Sequence, residues 1–158
     1  MSFSKKDEEF SLQKSAIKTL CLQLLHQKLD SLNQSMQDVS DASNQESKSS
    51  AGDKHETTKA MMQIEQEKIG KQIELIRTQI AEVERIQTEL KQTTVANGSL
   101  ILTDQGNFYV AAALGKIKLK EEEYIFISIH SPIGNAILKS DQKSFDLNGQ
   151  KYQIKRIV

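Results

Sequence analysis

Residues 46–57 read Glu46-Ser-Lys-Ser-Ser-Ala-Gly-Asp-Lys-His-Glu-Thr57, a stretch with no large apolar side chain and with acidic groups at Glu46, Asp53 and Glu56. What flanks it decides the fold. Before it, Leu22, Leu25, Leu29, Leu32, Met36 and Val39 recur at steps of three and four. After it, Met62, Ile69, Ile73, Ile76, Ile80, Val83 and Leu90 do the same, with Gln66 and Gln87 at the skipped positions. A seven-residue repeat of this kind belongs to helices that pack along a narrow seam. Folding one arm back on the other pairs Val39 with Met62, Leu32 with Ile69, Leu29 with Ile73, Leu25 with Ile76 and Leu22 with Ile80, and every pair has its midpoint near residues 50–51. The turn is therefore expected at Ser50-Ala51-Gly52. Each arm of roughly 35 residues would span about 50 Å, so the expectation is an intramolecular antiparallel hairpin that presents a small acidic tip.

The 158 residues leave room for such a rod and one small domain. Charge is balanced, 21 basic against 21 acidic side chains, which gives no electrostatic footprint for nucleic acid or an anionic membrane. The single cysteine, Cys21, excludes an internal disulfide and suits a reducing compartment. The first residues lack the apolar core of a signal peptide, and no run approaches a membrane span. A cytoplasmic, soluble, monomeric protein without membrane contact is expected.

Along the chain, Ser4 and Asp7 form a capping-box pattern that starts a helix near residue 5. From Ile17 to Leu25 the apolar band widens, with Leu20, Cys21 and Leu24 added, so this end of the helix should pack on a second surface. A second helix is expected from about Asp53, whose acidic first turn favours the helix dipole, to about Thr93, where Val95-Ala96-Asn97-Gly98 breaks it. Gly70 inside that helix can allow close approach of the partner arm. From Gly98 onward the composition changes, and six of the eight aromatics and five of the seven glycines lie there. Strands are predicted at 99–103, 107–113, 116–120, 123–129, 144–147 and 151–157, with hairpin turns at 104–107 and at Asn148-Gly149. One short helix interrupts them, capped by Ser131 with Pro132 at its first position. The fold class is α+β: an N-terminal coiled-coil hairpin over residues 1–97 with its tip near 50–56, and a small β-rich domain over 98–158.

Together the halves resemble the Gre transcript-cleavage factors of bacterial RNA polymerase. Gly52-Asp53-x-x-Glu56 is similar to that family's tip motif, and Ser131-Pro132-Ile133-Gly134-x-Ala136-Ile137-Leu138 to its C-terminal helix motif. The resemblance implies an FKBP-like C-terminal domain and a transcription elongation factor that enters the polymerase secondary channel. It also implies stimulated cleavage of backtracked RNA, with the nascent RNA 3′ end an indirect partner. Asp53 and Glu56 would take the catalytic role at the tip, helping to hold a second Mg²⁺ shared with the polymerase in the complex; no cofactor is expected on the protein alone. Ser131, Pro132, Ile133 and Gly134 would lie in the partner-binding domain. The protein would stimulate the polymerase's own cleavage and not be an enzyme itself. Thr57 in place of Asn, Lys59 in place of an aromatic, Lys139-Ser140 in place of Gly-Lys, and a longer serine-rich stretch before Gly52 place the chain in a divergent branch of that resemblance.

Read without the family, Asp53 and Glu56 stand one helical turn apart and point to one side. Two carboxylates are a poor magnesium site alone and a reasonable half-site beside phosphate oxygens and water. They equally fit the favourable acidic charges of a helix N-terminus. Glu46 and His55 read as solvated residues, and Cys21 as a small buried hydrophobe. No Gly-rich phosphate loop, metal-ligand cluster or catalytic triad stands in the sequence, and a condensing enzyme of fatty-acid synthesis would need a far larger fold. A peptidyl-prolyl isomerase would need an aromatic-lined pocket, and a structural coiled-coil adaptor a seam left open for another chain. The nearest alternative is a secondary-channel binder that regulates the polymerase without cleavage.

Overall fold

The computed structural model describes residues 4–48 and 53–158. The chain is α+β: α1 (Lys5–Lys48), α2 (Asp53–Glu84), β1 (Leu100–Thr103), β2 (Gly106–Val110), β3 (Gly115–Leu119), β4 (Glu122–Ile127), α3 (Pro132–Lys139), β5 (Ser144–Leu147) and β6 (Gln150–Ile157). It forms two compact units, one of residues 23–80 and one in which the chain up to residue 22 joins residues 81–158.

The capping box at the start of α1 is formed. Asp7 N donates to Ser4 Oγ at 3.2 Å, and Ser4 N donates back to the Asp7 carboxylate at 3.2 Å. In the unit of residues 23–80 the two helical arms run antiparallel. Gln66 Nε2 donates to Ser40 Oγ at 3.3 Å, and His55 Nδ1 lies 3.6 Å from a Glu46 carboxylate oxygen. Leu25, Ile69, Ile73, Ile76 and Ile80 are buried, whereas Leu29, Leu32, Met36, Val39 and Met62 are half-buried. The seam is thus most deeply covered far from the turn. The expected turn residues Ser50, Ala51 and Gly52 lie outside the described residues. A Cβ added to Gly70 would meet Met36 Cε at 3.9 Å, an ordinary contact, so close approach of the arms does not require glycine there.

The other unit has three layers. Its sheet has the order β3-β4-β2-β1-β6-β5. Neighbours pair antiparallel except β2 and β4, which run parallel with Tyr109 opposite Phe126. All six predicted strand regions are present, and the turn at Asn148-Gly149 takes the left-handed backbone expected of it, with φ of 51° and 78°. Phe108, Tyr109 and Val110 are all buried, so β2 is covered on both faces. Phe108 and Val110 share a core with Ile101, Ile127, Phe145 and Ile137 of α3. On the opposite face Tyr109 lies beside Phe126, 5.7 Å between ring centroids, and close to Cys21 of α1. The widened apolar band of α1 therefore finds its second surface: Ile17 and Cys21 are fully buried.

One expectation is corrected. Helix α2 stops at Glu84 and not near Thr93. Lysines of α1 hold carbonyls at the helix end and in the segment after it: Lys18 Nζ donates to Glu84 O at 3.0 Å and to Ile86 O at 2.8 Å, and Lys14 Nζ donates to Leu90 O at 3.0 Å. The bond to Glu84 O caps the helix, and the other two tie the following segment to α1 in place of the intrahelical bonds a longer helix would have made.

Candidate functional site

Asp53 is the first residue of α2 and Glu56 follows on its first turn. The position of the Asp53 side chain lies outside what is described, as does Gly52; the Glu56 side chain is exposed. Among the described residues no group of three or more His, Cys, Asp and Glu is placed to hold a metal ion. The donor set fits magnesium only as a partial site: hard carboxylate oxygen on one helical turn, with the other coordination positions left to water and a partner.

Two residues set aside in the sequence come together beside this turn. His55, one residue before Glu56, is largely covered, at 17% exposure, and its Nδ1 is 3.6 Å from Glu46 at 35% exposure. That is ion-pair range and longer than a hydrogen bond. The pair brings the last turns of α1 beside the first turn of α2, and His55 Nδ1 is buried with no hydrogen-bond partner among the described residues. Neither is simply solvated. The signal available in the sequence was their placement, since the midpoint of 46 and 55 coincides with that of the seam pairs.

The Ser131–Gly134 motif is fully accounted for by local structure. Ser131 caps α3, its Oγ accepting from Gly134 N at 3.1 Å and donating to Ser128 O at 2.6 Å. Pro132 occupies the first turn and is exposed. Ile133 packs against the hydrophobic core. A Cβ at position 134 would lie 2.2 Å from Ser128 O, so the chain crossing there needs glycine. Of the four, Pro132 is the one whose side chain faces solvent.

The C-terminal aromatics serve the core. Phe145 and Tyr152 stack at 5.0 Å, and Phe108 meets each edge-on at 5.5 Å. A polar clamp ties α1 to β4: Gln13 Nε2 donates to Tyr124 Oη at 2.6 Å, and that hydroxyl donates to Glu122 at 2.7 Å. Near the start of α1, Lys91 pairs with Asp7 at 2.8 Å, and this bond together with that of Ser4 holds the Asp7 carboxyl down at about 2. Burial pushes the Cys21 thiol up to about 11, so it is a packing group and not a nucleophile. Among the described residues no helix is long and apolar enough to cross a membrane.

Comparison with known proteins returns no matching family model, no matching curated protein and no matching solved structure.

Proposed function

We propose that this chain is a cytoplasmic transcription elongation factor of the Gre kind, which binds bacterial RNA polymerase through its secondary channel and stimulates cleavage of backtracked RNA. The observation that carries this reading is the position of the acidic motif. Asp53 and Glu56 fall on the first turn of α2, at the end of an antiparallel helical pair. A mixed sheet with the Ser131-capped helix follows in the chain, the order in which the resembling family arranges a hairpin and an FKBP-like domain.

On this reading Glu56, exposed and one residue from the His55–Glu46 pair, and Asp53 supply carboxylate oxygens to a magnesium ion shared with the polymerase. A second metal in such a site activates water and stabilises the leaving oxygen of an in-line displacement. The chain's own contribution is presentation. A carboxylate inside a protein-lined channel acts at lower effective dielectric than in water.

The test is a backtracked elongation complex incubated with the protein at limiting Mg²⁺. Release of short 3′ RNA fragments is expected. Asp53→Ala and Glu56→Ala should each abolish or greatly weaken it, while polymerase binding persists and stability changes by no more than about 1 kcal/mol. Higher Mg²⁺ should partly rescue both variants by mass action. A protein that slows the polymerase and releases no fragments at any Mg²⁺ concentration is instead a non-cleaving channel binder, the reading to which Thr57 and Lys59 would then point.

A further inference from the structure

A cleft of about 520 Å³ opens between the start of α1, the segment of residues 88–93 and the end of β6. Its size lies in the range of small-molecule sites, roughly 300–1,000 Å³. Phe10, Leu12 and Leu90 line it, and Leu12 and Leu90 stay 73% and 54% exposed. The charges on its walls are not equivalent. Asp7 is taken by Lys91 at 2.8 Å, and Glu8 and Glu89 face solvent. Arg156 lies over the Phe10 ring, 4.8 Å from its centroid. Lys14 differs from all of them: it lines the cleft yet is only 2% exposed.

An ammonium group has three donors. Among the described residues the Lys14 group has one hydrogen-bond acceptor, Leu90 O at 3.0 Å. A buried cation left with one neutral acceptor is costly unless something else takes its remaining donors. Burial accordingly pushes its pKa below the usual lysine range, with Glu89 opposing weakly from the rim. The wall thus combines exposed apolar side chains with a buried cation that has one acceptor among the described residues, the two halves of a site for an amphipathic anion.

We propose that this cleft binds a small amphipathic carboxylate, its apolar body against Phe10, Leu12 and Leu90 and its carboxylate accepting from Lys14. Arg156 adds a second cation at the lip. The assignment is independent of the polymerase reading, since none of these residues belongs to the acidic motif or to the Ser131–Leu138 helix.

The test is an amide-resolved NMR titration of the full chain with octanoate, octylamine and octanol. Octanoate should move the amides of residues 10–14 and 88–93 and bind at least about tenfold tighter than octylamine, the scale of one charge-assisted hydrogen bond. Lys14→Met should erase that preference while octanol binding persists. Leu12→Gln changes an exposed position and should leave the fold intact, so it decides the matter should Lys14→Met not fold; it should weaken octanoate and octanol alike. Glu89→Gln should tighten octanoate by removing an opposing charge. Octanoate that leaves the cleft amides unmoved, binds no better than octylamine, or binds Leu12→Gln as well as the parent chain overturns the proposal.

Discussion

The two compact units solve burial in different ways. In the sheet unit, Phe108, Tyr109, Phe126 and Ile137 are buried within a three-layer interior. In the arms of residues 23–80 the buried set is a single file of aliphatic side chains, fully covered at Leu25, buried at Ile69 and Ile73 and only half-covered at Met36, Val39 and Met62. A layered interior shields each side chain from all directions; a two-helix seam shields it from about half. The arms are therefore the part whose stability should grade with position, and the end that carries Glu56 should be the first to open.

The largest expected effect is in the layered core. Phe108→Ala should cost about 3–5 kcal/mol, measured by denaturant unfolding, because its ring contacts both Phe145 and Tyr152 and nothing small can refill the space. Ile73→Ala, at a buried seam position, should cost about 2–4 kcal/mol. Met62→Ala, half-buried in the same seam, should cost about 1 kcal/mol or less. Hydrogen exchange should show the same gradient, with the amides of residues 56–62 exchanging before those of 69–80. Equal costs at Ile73 and Met62 would break the comparison.

Smaller changes sharpen it. Gly70→Ala should stabilise the arms by up to about 1 kcal/mol, since the added methyl group meets Met36 at ordinary contact distance and the helix gains propensity. In the sheet unit, the buried Tyr109 hydroxyl has no hydrogen-bond partner among the described residues. Tyr109→Phe should therefore leave the melting temperature unchanged or raise it, whereas a clear fall would reveal an unseen partner. Last comes pH. Because the Asp7 carboxyl sits at about 2 in the folded chain, against an ordinary 3.8, its stabilising contribution is complete above about pH 4 and is lost as pH falls through about 2. Asp7→Asn should flatten the melting-temperature profile over that window.

Much of this was legible because it is local. The Ser4–Asp7 reciprocal cap, the Asn148-Gly149 turn and the Ser131-Pro132 helix start each follow from a few adjacent residues and stand as their chemistry dictates. The end of α2 was not legible: no glycine or proline marks Glu84, and the side chain that caps its carbonyl, Lys18, lies more than 60 residues earlier. The parallel pairing of β2 with β4 was equally hidden, because strand order depends on which faces bury together and not on any one strand. At the candidate site the carboxylates could be read from the helix start. The His55–Glu46 pair could not be read from residue type alone, since a lone histidine and a lone glutamate are ordinary surface residues.

The sheet unit joins the chain up to residue 22 with residues 81–158, far apart in sequence. Leu100 and Val158 exchange backbone hydrogen bonds at 2.8 and 2.9 Å, which fixes β6 beside β1, and the groups beside Cys21, Tyr109 and Ala112, lie beyond residue 100. Synthesis proceeds from the other direction. The arms of residues 23–80 can pair on the ribosome within microseconds to milliseconds of emerging, whereas the first helical turns must wait for their docking surface. At about 5–20 residues per second that wait is on the order of 10 s. For that interval Ile17 and its neighbours form an apolar stripe open to chaperones, and Cys21 lacks the burial that keeps its thiol inert in the folded chain.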